Sequence, residues 1–181
     1  MKTSCEQCGC EFQALGARGR SPRFCSAACR QRAYRMRRAR AAVPSVPAVM
    51  REARRWVRAG GKRPLTVAGF GASSTNPATW SGFDDVQAGV GDGFGFMLGG
   101  GFGCYDLDYA VEDGRLLPWA REVVDAIPEP VLFTELSQSG RGVHVFVAAE
   151  ESRGTKVPVG SGRVERYTFG RFIRFGTPMK L

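Results

Sequence analysis

The sequence predicts an α+β protein: a mixed or antiparallel sheet with flanking helices, preceded by a small cysteine-bearing module and a basic helix. Three observations carry this. From Lys62 onward, short runs of β-branched and aromatic residues are separated by glycine-bearing turns, with one clear helical pattern among them. Five of the six cysteines lie within the first 29 residues. The charge is divided: residues 1–63 hold 16 of the 26 basic side chains and 3 of the 17 acids, a net of +13, against −4 for the remainder. A basic arm on a mildly acidic domain points to a polyanion partner, with nucleic acid the foremost choice. The 181 residues suit one ordinary domain with an appendage. We divide them into a cysteine module at 1–42, a linker at 43–47 and a main domain at 48–181. No apolar stretch reaches membrane-spanning length, and the polar Met1-Lys2-Thr3-Ser4 start is no signal peptide. The expectation is a cytoplasmic protein with no membrane partner.

In the first module, Cys5-x2-Cys8 and Cys25-x3-Cys29 are separated by 16 residues, the spacing of a four-thiolate zinc site. So short a segment has little core, and a metal would supply most of its folding energy. Cys10 is an alternative to Cys8 as ligand, and the spacing leaves that choice open. Ser26 is placed to cap a helix running to about Ala42, with arginine on nearly every face. The run Cys25-Ser26-Ala27-Ala28-Cys29-Arg30-Gln31-Arg32-Ala33-Tyr34-Arg35 resembles a small cysteine-knuckle family of bacterial and phage proteins whose modules are thought to bind nucleic acid. The resemblance implies salt-sensitive, sequence-independent phosphate contacts from Arg30, Arg32, Arg35, Arg37 and Arg38. Val43-Pro44-Ser45-Val46-Pro47 then breaks the helix. A second helix is predicted over 48–59, with Val49, Ala53, Trp56 and Val57 as its apolar stripe and Gly60-Gly61 ending it.

In the main domain, residues 93–98 and 102–108 flank Gly99-Gly100-Gly101 as a predicted hairpin. No helix follows those glycines and no Gly-Lys-Ser/Thr occurs, so they are not read as a phosphate loop. Residues 116–127 form a helix with Leu117, Ala120, Val123, Val124 and Ile127 buried. Residues 131–136 and 143–148 form a second strand pair, and 163–169 with 171–175 a third. Asp106 and Asp108, at i and i+2 of a strand, share one face. His144, the only histidine, and Glu165 lie on further strands. Acids on neighbouring strands can converge on divalent cations, the usual means of phosphoryl and nucleotidyl transfer. Each residue alone has a plainer reading: a surface Asp-x-Asp, a packed core histidine, and a Glu165 salt-bridged to Arg163 or Arg166.

Gly95-Phe96-Met97-Leu98, Tyr105-Asp106-Leu107-Asp108 and the run from Glu135 through Ser137-Gln138-Ser139-Gly140-Arg141-Gly142-Val143-His144-Val145-Phe146 together resemble the primase-polymerase domain of phages and plasmids. That group belongs to the archaeo-eukaryotic primase superfamily. Lys62-Arg63-Pro64-Leu65, Asn76-Pro77-Ala78-Thr79-Trp80 and Glu165-Arg166-Tyr167 extend the likeness over about residues 48–177. The resemblance implies a primase-like fold and a DNA primase or polymerase activity. Asp106, Asp108 and Glu165 would hold two Mg²⁺ or Mn²⁺ ions, and His144 would contact the phosphates of the incoming NTP or dNTP. Ser139, Arg141 and Arg171, and with them Lys62, are candidates for the same nucleotide. The implied partners are a single-stranded DNA template and, because many members continue into a helical domain and a helicase that these residues do not include, a separate replicative helicase. The implied setting is a bacterial host cell. A catalytically silent DNA-binding replication module is the alternative, and a metal nuclease using the same acids ranks third.

Overall fold

A computed structural model describes residues 2–13, 22–42 and 46–181 of the chain. Contacts divide it into two units, Met1–Val43 and Pro44–Leu181. In the first unit, β1 (Lys2–Ser4) pairs antiparallel with β2 (Glu11–Gln13), and α1 runs from Ala27 to Ala42. Ser26 is the cap, its hydroxyl accepting the Cys29 amide at 3.2 Å. The backbone of α1 reaches the predicted end, while the side chains of Arg35, Arg37 and Arg38 lie outside the described residues, as do linker positions 43–45.

The second unit opens with α2 (Ala48–Glu52), which stops well short of the predicted helix. Its continuation is β3 (Trp56–Gly60), followed by β4 (Arg63–Leu65). Four consecutive residues of β3 are buried. Three of them, Trp56, Val57 and Ala59, are apolar as expected of a strand covered on both faces, Arg58 is the buried exception, and Trp56 and Val57 also matched a helical stripe. Next come β5 (Gly93–Met97), β6 (Phe102–Asp108), and the small hairpin β7 (Val111–Glu112) with β8 (Arg115–Leu116). Helix α3 (Pro118–Asp125) is shorter than predicted, with Leu116 held in β8 and proline at its first turn. Then follow β9 (Val131–Leu136), β10 (Val143–Ala148), β11 (Thr155–Val159), β12 (Gly162–Tyr167), β13 (Phe172–Arg174) and β14 (Thr177–Pro178).

Two antiparallel sheets result, one in the order β11-β12-β6-β10-β9-β14 and one in the order β13-β5-β3-β4. The β9–β10 pair matches the prediction. Two other pairings do not. The glycine turn at 99–101 carries the chain from one sheet to the other rather than closing a hairpin, with only a Gly99–Phe102 bridge across it. All three glycines have positive φ, which makes this abrupt change of direction possible without Cβ strain. The segments at 163–169 and 171–175 also separate, since β12 pairs with β11 and β6 while β13 pairs with β5.

Alternation along the strands assigns the faces of the larger sheet. One face contributes Cys104, Phe133 and Phe146 to a core shared with Met50, Trp56, Phe96, Ile173 and Phe175. Trp56 makes edge contacts with Phe83, Phe96 and Phe175 at 4.8–4.9 Å between centroids. The opposite face presents Leu107, Val143, Val145 and Val147, packed with Ala120, Val123 and Val124 of α3. No helix among the described residues is long and apolar enough to cross a membrane.

Candidate active site

The face that carries the aromatic core turns polar toward one end. Strand register sets Glu165 opposite Asp106, Asp106 opposite His144, and His144 opposite Glu135. These four residues form one cross-strand row over β12, β6, β10 and β9. The row formed by Tyr167, Cys104, Phe146 and Phe133 lies two residues further along and is apolar. Toward the opposite edge, Asp108 faces Arg163. The predicted residues Asp106, Asp108, His144 and Glu165 are therefore brought together by three adjacent strands.

Glu135 completes the row and was not singled out from the sequence, where a glutamate in a strand reads as a solvent-facing residue. It is fully buried. Its carboxylate meets His144 Nδ1 at 2.7 Å and accepts the Gly176 amide at 3.0 Å. A signal was available: Phe133 and Glu135 alternate onto the core face, and a short turn at 137–142 sets Glu135 opposite His144. The other ring nitrogen, Nε2, lies 3.6 Å from Asp106. Burial favours the neutral imidazole, but the hydrogen bond and charge of Glu135, with Asp106 and Asp108 beyond, prevail and raise the pKa of His144 above 6.5. Burial pushes Glu135 upward, partly opposed by His144 and the Gly176 amide. Asp106 is raised by burial and by Asp108 and Glu165, against the pull of His144 and Arg171.

Glu165 is buried too. Burial favours its neutral form, but the Tyr167 hydroxyl (2.6 Å), Lys156 (3.1 Å) and Arg163 (3.0 Å) overcome it and hold the pKa below 4.5. Arg163 reaches Asp108 as well, at 2.5 Å, so the salt bridge expected as the plainer reading of Glu165 does form and spans two acids. Oxygen-only carboxylate donors on a rigid sheet suit Mg²⁺ or Mn²⁺. Asp108 and Glu165 would have to turn from these cations to share an ion with Asp106.

A cavity of about 800 Å³ opens in front of Asp106, Asp108 and His144. Ser139, Lys62 and Arg171 line it, as predicted candidates for the nucleotide. Arg171 also stacks on the Tyr167 ring at 4.5 Å and lies 3.8 Å from Glu165. Arg174, not singled out from the sequence, shares the wall; it is tied to Gly61 and to Asp92, the latter at 2.8 Å. Its Nε is buried without a hydrogen-bond partner among the described residues. Arg141 does not join this group. The turn places it instead at a neighbouring cavity, where its guanidinium lies over the Tyr109 ring.

In the first unit the sulfurs of Cys5, Cys8, Cys25 and Cys29 all lie within 4.8 Å of one another. Cys8–Cys25 and Cys25–Cys29 are 3.6 and 3.5 Å apart. Zinc–sulfur bonds of about 2.3 Å give tetrahedral edges of about 3.8 Å, so the four thiols are compatible with zinc. Cys10 lies outside the cluster, its thiol turned to the Cys8 carbonyl at 3.9 Å. The backbone amide of Cys25 leads in lowering the Cys5 thiol to about 6, while hydrogen bonding to Cys29 and Cys5 pushes Cys25 up to about 12. Arg30 and Arg32 are exposed near the start of α1.

Comparison with known proteins gives this arrangement its class: the chain carries a domain of the phage primase-polymerase kind. The relative that shows it is a protein of Nitratiruptor phage NrS-1 named DNA Primase-polymerase, 32% identical over 148 residues. The match covers 72% of this chain and 20% of that protein, so the chain corresponds to about a fifth of its relative. No family model matches the chain.

Proposed function

We propose that the chain is a DNA-dependent nucleotidyltransferase that makes or extends short primers on a single-stranded template in phage or plasmid replication. The observation that carries this reading is the registered row Glu165–Asp106–His144, whose Asp106 and His144, together with Asp108, line a cavity walled by Lys62, Arg171 and Arg174. A primase-polymerase as relative supports the same chemistry, with DNA as template and nucleotides as substrates. The expectation of a separate helicase has no support in that likeness.

Asp106, Asp108 and Glu165 are the residues to hold two Mg²⁺ or Mn²⁺ ions. Such ions would lower the pKa of the attacking 3′-hydroxyl and neutralise the leaving pyrophosphate. In its protonated form, which the Glu135 carboxylate favours, His144 offers Nε2–H to a phosphate oxygen. Lys62, Arg171 and the Ser139 hydroxyl supply further contacts to the triphosphate, whose negative charge suits this wall. In the same proposal the cysteine unit takes zinc, and the exposed arginines of α1 grip the template through its phosphates. This keeps the division into a cysteine module, a linker and a primase-polymerase-like domain of the archaeo-eukaryotic type.

Labelled nucleotide incorporation on a single-stranded template with Mn²⁺, with and without primer, tests the proposal. Product that disappears in Asp106→Ala/Asp108→Ala is the expected result. Tight template binding with no incorporation under either condition overturns it. That outcome would favour the silent DNA-binding module, a reading supported by the ion pairs that Asp108 and Glu165 already make with Arg163 and Lys156.

A further inference from the structure

The turn at 137–142 has a wall on each of two cavities. Ser137, Gln138 and Ser139 line the larger one in front of the acids, whereas Gly140 and Arg141 line a second cavity of about 490 Å³. Tyr109, the residue directly after Asp108, also lines the second cavity, with Val111 and Leu117 as apolar neighbours and Glu112, Asp113 and Ser161 as polar ones.

Two features of Tyr109 are unexplained by packing. Its ring is 55% exposed, among the most exposed large apolar side chains described. Its φ is +58°, a left-handed conformation in which a bulky side chain is disfavoured and glycine is at ease. Asp113, the other described non-glycine residue with positive φ, precedes Gly114 in the β7–β8 turn, where a short polar residue is ordinary. Tyr109 has no such excuse. A strained aromatic, held open to solvent beside a catalytic carboxylate, points to a role in which the ring itself is needed.

The chemistry of the cavity identifies what would use it. Arg141 lies 5.0 Å from the Tyr109 ring centroid, a cation–π pair that holds the ring. The π face beside Val111 and Leu117 suits a flat aromatic ligand, and the polar remainder of the lining suits its edge, where the carboxylates of Glu112 and Asp113 can accept hydrogen bonds from an exocyclic amine. We propose that Tyr109 and Arg141 form a stacking seat for an unpaired nucleobase, one step along the strand from the nucleotide in the larger cavity. The choice of a nucleobase rests on reading the chain as an enzyme acting on nucleic acid. The seat explains why Arg141 departs from the triphosphate cavity, and why strain at Tyr109 is retained.

The experiment uses the full chain, at raised salt to suppress phosphate contacts. Affinity for an amine-bearing oligonucleotide, oligo(dC), is compared among wild type, Tyr109→Phe, Tyr109→Ala and Tyr109→Gly. Phe retains binding, while Ala and Gly weaken it about tenfold, the loss expected of one stacked base. Because glycine relieves the backbone, Tyr109→Gly keeps or raises the melting temperature, which separates lost stacking from lost fold. A Tyr109→Trp variant reports directly: its added emission, against the wild-type tryptophan background, is quenched on titration. Quenching by the oligonucleotide is the expected result, whereas quenching by dCTP and not by the oligonucleotide would overturn the strand seat by making it the site of the incoming base. Ala and Gly variants that bind both ligands within twofold of wild type, together with unquenched Trp emission, overturn the proposal. None of these readouts needs catalysis, so failure of the enzyme reading would appear separately, as absent incorporation.

Discussion

Glu135 and His144 show how a single buried contact sets the chemistry of a site. An imidazole this buried would ordinarily be neutral, and the Glu135 carboxylate at 2.7 Å reverses that preference. The folded pKa of His144 is raised, so the stability contributed by its protonation is complete below 6.5 and is lost as pH rises through the higher folded value. Chemical denaturation across that window should show wild type weakening with rising pH. Glu135→Gln, which keeps the shape but not the charge, should flatten the profile; an unchanged slope would assign it to other groups. The opposite sign holds at Glu165. Its pKa lies below 4.5, so its contribution is present above that value and lost as pH falls through the lower folded one. Arg163 joins Glu165 to Asp108, supplying from within the chain the positive charge that clustered carboxylates need. Replacing it with glutamine should strengthen Mn²⁺ binding about tenfold in a spectroscopic titration without nucleotide, since an opposing cation at contact range shifts such equilibria by a decade or more. Weaker binding would instead make Arg163 a support for the acids.

At the scale of elements, the site is a product of register. A one-residue slip of β12 against β6 would turn Glu165 to the other face, and the packing of both faces resists it. The same alternation made the site legible in the sequence: Asp106 and Asp108 are two apart, and β9 and β10 were paired with their observed partner. Less was legible where burial overrode pattern. In β3, Arg58 is buried and gives its guanidinium to the carbonyls of Val86, Val90 and Gly91 at 2.9–3.1 Å. From sequence alone a charged residue there looks like the wet side of a helix, because its carbonyl partners lie in an irregular segment some thirty residues away. Arg58→Ala should cost about 3 kcal/mol or more in urea denaturation, since three carbonyls lose a charged donor together. Arg58→Lys should recover only part, because one ammonium cannot reproduce the fork. The glycine turn at 99–101 misled for a related reason. Strands next to each other in sequence usually pair, and here two sheets share the strands instead.

For the whole molecule, the division into two units separates the candidate active site from the basic cysteine unit that is proposed to hold the template. The first unit has little buried apolar surface of its own, with Cys5 its only described buried hydrophobic residue. A metal at the four thiols would therefore carry most of its folding energy, and chelation should unfold this unit while the main domain keeps its own melting transition. Under the proposed function, the first unit, with ten basic and two acidic residues over Met1–Val43, would carry the electrostatic part of strand binding. For single strands, log K falls against log salt by about 0.7 for each phosphate neutralised. Replacing Arg30, Arg32, Arg35, Arg37 and Arg38 with glutamine should reduce the magnitude of that slope by up to about 3.5. Stacking at Tyr109 should persist, because it depends on a π face rather than on counterion release. A salt titration of the five-fold variant by fluorescence anisotropy makes the comparison. An unchanged slope would move the grip to the cationic wall of the main domain, whereas loss of binding at every salt concentration would mean that the unit no longer folds, which the chelation experiment tests independently.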